Sequence, residues 1–228
     1  MRYYPVFLDI ADKPVVVIGG GTIAHVKVEG LLDAGAVVTV VSPELNDEMQ
    51  RLRDDNRFRH IEREYQPGDL AGYELAFVAT DDRAANETVW REGRERKIWV
   101  NAVDDIPNCD FIMPGIVRRG DLVIAISTSG SSPAMARKVR EDLETFLTEE
   151  DAVLLDLAAE IRRELKEMKI EVRNCRHCVR NNNDVWNAAL DGEVRKLIAA
   201  GNRSGAKERI LNLLLAPSGQ SLDAVSGQ

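Results

Sequence analysis

Cysteine is scarce in this sequence. The three residues present, Cys109, Cys175 and Cys178, are an odd number that does not make a disulfide framework. Long apolar runs are missing too, so no membrane span is predicted, and the first residues lack the pattern of a signal peptide. Positive charge is in the minority, and a formal net charge of −8 argues against a general nucleic-acid binder. These absences favour a globular protein of the cytoplasm.

The spacing of cysteine and histidine gives little support to a metal centre. Cys175 and Cys178 form one Cys-x-x-Cys pair, without a second pair of ligands at the spacing of a zinc site. Their thiols are either incidental or used in metal or redox chemistry, and the first alternative is favoured. The three histidines are scattered along the chain and suggest no catalytic triad.

The strongest positive signal is a glycine turn near the N-terminus. A β-branched run at 15–18 leads into Gly19-Gly20-Gly21-Thr22-Ile23-Ala24, and a helical pattern follows. This arrangement is typical of dinucleotide binding, because Gly19 permits the turn and Gly21 lets a pyrophosphate approach the backbone closely. The helix N-terminus would then face the phosphates. A purely structural tight turn is the alternative.

Strands and helices alternate through the first half of the chain. Five apolar or alternating runs predict parallel strands, and they lie at 14–18, 36–41, 58–64, 75–79 and 98–103. Helical patterns separate most of them. We therefore expect an α/β fold with a Rossmann-type doubly wound parallel sheet in the strand order 3-2-1-4-5.

The pattern changes after Asp104. Two β-rich runs at 111–117 and 122–126 predict a hairpin, and Ser132 is a good N-cap for a helix that begins at Pro133. Charged helical sequence and a Ser/Gly/Gln-rich tail follow. The expected regions are a nucleotide-binding domain at 1–113, a hairpin-plus-helix region at 114–148, a helical C-terminal domain at 149–216 and a disordered tail at 217–228.

The carboxyl ends of the predicted strands are where a ligand is expected. Strands 1, 4 and 5 end at the glycine turn, at Thr80 and at Asn101, and the last is followed by Asp104 and Asp105. This acidic pair is expected beside the cofactor, although a solvated turn or a helix cap would use the same residues. Glu44 follows the second strand at a distance that suits a ribose hydroxyl. No arginine adjoins it, so NAD is favoured over NADP.

A second anion-binding place is predicted at the start of the Pro133 helix. The loop before it contains Ser127, Ser129 and Ser132. Basic residues flank it, and they are Arg118, Arg119, Arg137, Lys138 and Arg140. The alternative is a well-capped helix with a solvated basic face.

Several motifs together are specific enough to indicate a family. They are Pro5–Leu8, Val17–Ala24, Lys27 with Leu31–Ala36, Ala79–Asp82, Asn101–Asp104, Phe111-Ile112-Met113-Pro114, Ile126–Gly130 and Ser132-Pro133. The combination resembles the precorrin-2 dehydrogenase family, which includes the N-terminal module of siroheme synthase and its stand-alone relatives. The resemblance extends from about Tyr4 to Leu147, and the sequence departs from the family pattern after about residue 150.

The resemblance implies NAD-dependent oxidation of precorrin-2 to sirohydrochlorin by a homodimer whose hairpin and following helix exchange contacts. It implies a catalytic carboxylate at Asp104, which we hypothesise to be the general base, and cofactor contacts at Thr22, Ile23, Pro43 and Glu44. The polycarboxylate substrate would suit the serine loop and its basic neighbours. The predicted cofactor site thus contains Gly19, Gly21, Thr22, Ile23, Pro43, Glu44, Thr80 and Asn101. The predicted substrate site contains Ser127, Ser129, Ser132, Arg118 and Arg137.

Three alternatives stay open at the level of sequence. Some relatives also insert ferrous iron into sirohydrochlorin, and Asp104 would then remove the pyrrole N–H protons. A non-catalytic NAD-sensing module and an unrelated small-molecule dehydrogenase would share the glycine turn. The motifs after Asp104 argue against the sensor.

Overall fold

A computed structural model describes residues 3–102, 109–170 and 186–215. The chain forms two compact units, Met1–Met113 and Pro114–Gln228. The division of the second unit at residue 148 remains a prediction. The predicted tail at 217–228 lies outside the described residues.

A five-stranded parallel sheet forms the centre of the first unit. Its strands are β1 (Pro14–Ile18), β2 (Val37–Val41), β3 (Arg59–Ile61), β4 (Leu75–Val78) and β5 (Trp99–Ala102). The sheet has the order β3-β2-β1-β4-β5, so the predicted strand order is confirmed. The helices of this unit are α1 (Thr22–Asp33), α2 (Asp47–Asp54) and α3 (Arg83–Arg96).

The alternation of side chains along β1 explains the two helical layers. Val15 and Val17 belong to one buried cluster, which includes Ala24 and Val28 of α1. Val16 and Ile18 point to the opposite face, because successive strand residues alternate, and they belong to a second cluster with Val89 of α3. Both faces of the sheet are therefore covered, as a doubly wound fold requires.

The start of the hairpin differs from the sequence expectation. The first hairpin strand was expected from Phe111 but begins at Gly115, since the Phe111 carbonyl accepts a 2.9 Å hydrogen bond from the Asn101 side chain and Pro114 has no N–H to donate.

The second unit contains a hairpin and a helical layer. Strands β6 (Gly115–Arg119) and β7 (Leu122–Ile126) pair antiparallel around Gly120, whose φ is +56°. The helices are α4 (Pro133–Phe146), α5 (Glu149–Glu167), α6 (Gly192–Ala199) and α7 (Arg203–Leu215). Leu157 and Ile161 of α5 pack with residues of α6 and α7 in a third buried cluster. Within the described ranges, no helix is long and apolar enough to cross a membrane.

Candidate dinucleotide site

Gly19 and Gly20 turn the chain out of β1 where no side chain fits. The Gly19 φ is +120°, and its N–H donates a 2.9 Å hydrogen bond to the Val41 carbonyl of β2. A Cβ atom on Gly19 would lie 2.2 Å from the Ala79 carbonyl oxygen, and one on Gly20 would lie 2.0 Å from that of Glu44. These two glycines are therefore required by the packing of the protein itself.

Gly21 is different, because nothing in the protein occupies the space that its Cβ would fill. No heavy atom lies within 4 Å of that point, and Gly21 is exposed at the wall of a cleft. Gly21 is also the N-cap of α1, where no side chain caps the helix and the first turn carries no acidic residue. The helix dipole and the N-terminal N–H groups thus face open space, which fits a phosphate.

The loop after β2 forms a second wall of the cleft. Buried Ser42 donates a 2.6 Å hydrogen bond from its Oγ to the Glu44 carbonyl, and the Asn46 N–H donates to the Gly20 carbonyl at 2.9 Å. The Asn46 side chain in turn caps α2. These bonds hold Pro43 and Glu44 exposed at the cleft.

The end of β4 forms a third wall. Thr80, Asp81 and Asp82 line the cleft, and Asp82 caps α3 by accepting from the Ala84 and Ala85 N–H groups. The Asn86 side-chain amide donates a 3.1 Å hydrogen bond to the Thr80 carbonyl. Buried Asn86 of α3 thereby fixes the position of this turn.

The electrostatics of the cleft distinguish between dinucleotides. Its volume is about 610 Å³, within the range of small-molecule sites. The lining side chains include the carboxyl groups of Glu44, Glu64, Asp81 and Asp82, and no Lys, Arg or His belongs to the described lining. A 2′-phosphate would face carboxylates without a cationic partner. The residues present therefore fit NAD, as the sequence predicted.

The structure brings together only part of the predicted cofactor set. Gly19, Gly21, Pro43, Glu44 and Thr80 line one cleft. Thr22 and Ile23 form the exposed first turn of α1 beside Gly21, but they do not belong to the lining of the cleft.

Asn101 lies elsewhere, because it is buried in β5 with its side-chain amide bonded to Phe111. Its role in cofactor binding stays a prediction. Asp104 lies outside the described residues, and so do Cys175 and Cys178. Among the described residues no group of three His, Cys, Asp or Glu side chains is arranged to hold a metal ion.

Glu64 and Tyr65 are among the cleft residues that escaped the sequence interpretation. They follow β3 and contribute to the lining. They carry no motif, but they follow a strand whose carboxyl end lies next to that of β2 in the predicted order. The predicted strand order was therefore the signal that could have placed them at the cleft.

The predicted substrate residues lie in the second unit. Ser127 Oγ accepts a 3.0 Å hydrogen bond from the Ser129 N–H, and Ser132 caps α4 through the Met135 N–H at 3.2 Å. Both serine oxygens thus have local backbone partners. Arg118 and Arg137 are exposed to solvent.

Comparison with known proteins finds similarity to proteins of sirohaem biosynthesis. Residues 6–115 match a family model described as putative NAD(P)-binding, and residues 119–145 match one described as sirohaem biosynthesis protein central. Siroheme synthase from Photobacterium profundum is 34% identical over the whole chain, which covers 47% of that relative. The protein of the same name from Methylococcus capsulatus is 36% identical over 92% of this chain and 43% of its own length. The chain thus spans less than half the length of the curated relatives it matches.

A solved structure shows the same similarity in three dimensions. "SirC, precorrin-2 dehydrogenase" superposes with a TM-score of 0.68 at 26% identity, over 91% of this chain and 98% of that one. Sequence and fold together confirm the resemblance that the motifs indicated: this chain is similar to a precorrin-2 dehydrogenase over most of its length and to the matching part of siroheme synthases.

Proposed function

We propose that this protein catalyses the NAD-dependent dehydrogenation of precorrin-2 to sirohydrochlorin. The observation that carries the proposal is the open cleft at Gly21, which fits a dinucleotide pyrophosphate within a fold similar to a precorrin-2 dehydrogenase over most of its length. An NAD sensor or an unrelated dehydrogenase would explain the cleft. Neither would explain the match of residues 119–145 to the sirohaem model.

Different groups of the chain bind the dinucleotide and accept the proton. The N-terminus of α1 receives the pyrophosphate, and the exposed Glu44 carboxylate accepts hydrogen bonds from a ribose. Bound NAD supplies a hydride acceptor. Dehydrogenation transfers one hydride from precorrin-2 and releases one proton, and we assign that proton to the carboxylate of Asp104 acting as general base.

The basic residues of the second unit support a polyanionic substrate. Arg118 and Arg137 are exposed, and no described carboxylate pairs with either of them. In a protein of net charge −8, such unpaired guanidinium groups would attract the carboxylates of a tetrapyrrole. Together with Ser127, Ser129 and Ser132 they form the proposed substrate site.

We also propose a homodimer assembled through the hairpin and α4. None of the α4 residues is buried, and Met135 and Phe146 are 55% and 77% exposed. Ile116 of β6 is exposed as well. In a monomer this apolar surface would be exposed to water, whereas a second copy of the chain would bury it. The cytoplasmic location stays a prediction of the sequence.

Iron insertion is the second candidate activity, and the names of the siroheme synthase relatives favour it. Asp104 would then accept protons from the pyrrole nitrogens as ferrous iron, the substrate, enters the ring. Because the relatives are more than twice as long as the match, that activity need not reside in the shared part.

One experiment tests both activities. The full chain is incubated anaerobically with precorrin-2 and NAD, and ferrous iron is added in a second stage. NADH absorbance appearing in the first stage, in proportion to the protein, supports the dehydrogenase. A sirohaem spectrum that forms faster with protein than without it supports iron insertion. Absence of NADH with freshly made precorrin-2 would refute the proposed function.

A further inference from the structure

Tyr65 lines the cleft from the segment after β3, which standard dinucleotide motifs do not include. It lies four residues after β3, and its side chain is half-buried against the same apolar cluster that contains Val89 of α3. The cleft places it with Pro43 and Glu44, which follow β2. The aromatic ring is therefore available as an apolar wall on the β2–β3 side of the glycine turn.

A buried carboxylate on α3 holds that ring by its phenol group. Glu92 is 7% exposed and accepts a hydrogen bond from the Tyr65 hydroxyl. It also accepts from the Gly68 N–H at 2.8 Å, from the Leu70 N–H at 3.3 Å and from Arg96 Nε at 2.6 Å. One side chain thus ties the segment 65–70 to α3.

The electrostatics of this cluster favour a hydrogen bond in which the Tyr65 phenol donates to the Glu92 carboxylate. Burial would raise the pKa of Glu92, but the hydrogen bonds from Tyr65, Gly68 and Arg96 outweigh it and lower the pKa. Burial and the hydrogen bond to Glu92 raise the pKa of Tyr65. At neutral pH the phenol is therefore protonated and donates to an ionised carboxylate, which is the stronger kind of hydrogen bond.

The position of Tyr65 in the cleft indicates which part of a dinucleotide would contact its ring. The pyrophosphate is placed at the glycine turn, and an acidic residue after the second strand binds the adenosine ribose in this class of fold. Tyr65 lies on the same side as Glu44, and its ring offers a flat surface for a base, since aromatic side chains stack on any base.

We propose that the Tyr65 ring forms the surface on which the adenine base stacks. Glu92 is a positioning residue that pre-organises this ring through its hydrogen bond with the phenol. The proposal rests on the proposed function only for the identity of the dinucleotide. Because the ring is fixed before the ligand arrives, less rotamer entropy is lost on binding. The effect is confined to the adenosine half of the ligand.

Ligand fragments test this inference in the full-length protein. Kd values are measured for NADH, for ADP-ribose and for reduced nicotinamide mononucleotide, which lacks the adenosine. We expect Tyr65→Phe, which keeps the ring and removes the tether, to raise the Kd of NADH and ADP-ribose about three- to tenfold. The Kd of the mononucleotide should stay within twofold. Tyr65→Ala should raise the first two Kd values by about tenfold or more.

Two further variants separate positioning from general loosening. Tyr73→Phe is the matched control, because Tyr73 packs on the same apolar cluster but does not line the cleft. In the double variant, Glu92→Gln should raise the NADH Kd by a smaller factor than it does alone, because Tyr65→Phe has already removed the hydrogen bond that both changes weaken. In turnover, Tyr65→Phe should raise the KM for NAD and leave kcat unchanged.

Each result has a distinct meaning. An equal loss of affinity for all three ligands, or a Tyr65→Phe variant that binds ADP-ribose like the wild type, would overturn the inference. A wild-type protein that does not bind NADH would instead refute the proposed function. If Glu92→Gln does not fold, the Tyr65→Phe and Tyr73→Phe comparison still decides the question.

Discussion

The backbone of Gly19 runs so close to Ala79 that a Cβ atom at residue 19 would lie 2.2 Å from the Ala79 carbonyl oxygen. This contact joins the end of β1 to the end of β4, and it forms one edge of the cleft. Gly21, two residues later, meets no such obstacle. Gly19 is thus required by the fold, whereas we propose that Gly21 is required by the ligand.

That difference predicts opposite outcomes for two similar substitutions. Gly21→Ala should fold normally but raise the NADH Kd at least tenfold, because its methyl group would occupy the room for a phosphate. Gly19→Ala should fail to fold stably. Gly30→Ala is the matched control in the same helix, and it should stabilise the protein by about 0.5–1 kcal/mol without changing the Kd. Circular dichroism melts and NADH titrations measure both effects. Unchanged affinity in Gly21→Ala would contradict the placement of the pyrophosphate.

Glu44 should set the preference for NAD over NADP. Replacing its carboxylate with a cation, Glu44→Arg, removes an acceptor for ribose hydroxyls and supplies a partner for a 2′-phosphate. We expect the ratio of NADPH to NADH affinity to rise about tenfold or more. Glu48→Arg makes the same charge change on α2, outside the cleft lining, and should leave the ratio unchanged. Equal ratios in the two variants would exclude a ribose contact for Glu44.

Asp104→Asn tests the proposed general base. The amide cannot accept a proton, so kcat for precorrin-2 should fall about 10²- to 10⁴-fold, whereas the NADH Kd should change little. The comparison variant is Asp54→Asn, an exposed α2 residue that does not line the cleft. Stopped-flow detection of NADH measures the rate. Full turnover by Asp104→Asn would show that the proton leaves by another route.

The second unit should lose stability in acid through Asp191. The hydrogen bond from Arg209, at 2.5 Å, lowers the pKa of Asp191 below its ordinary value of 3.8, against the opposing effect of burial. Since the folded pKa is lower than the unfolded one, protonation favours unfolding. The contribution is complete above the unfolded pKa and is lost as the pH falls through the folded pKa.

A charge-neutral variant isolates this effect. Asp191→Asn keeps an N-cap side chain for α6, where Asp191 accepts from the Val194 N–H at 2.9 Å, but removes the charge pair with Arg209. We expect urea unfolding of the variant to depend less on pH between about 5 and 3. An identical pH dependence in both proteins would show that other carboxyl groups dominate.

Local sequence patterns were sufficient for the elements and their order. The buried run at 15–18 is β-branched and continuous because both of its faces are covered, which is a property of the residues themselves. The same holds for the N-cap at Ser132, which accepts from the Met135 N–H. The strand order then followed from general rules of chain connection.

The walls of the cleft depended on contacts between residues distant in sequence. The sequence by itself determined that a glycine turn typical of dinucleotide binding follows β1 and that Glu44 comes shortly after β2. Only the tertiary structure showed that the Asn101 amide donates to the Phe111 carbonyl and that Tyr65 lines the cleft, held by Glu92 from 27 residues away. Side-chain partners across such distances are selected by packing and burial, which no local periodicity records.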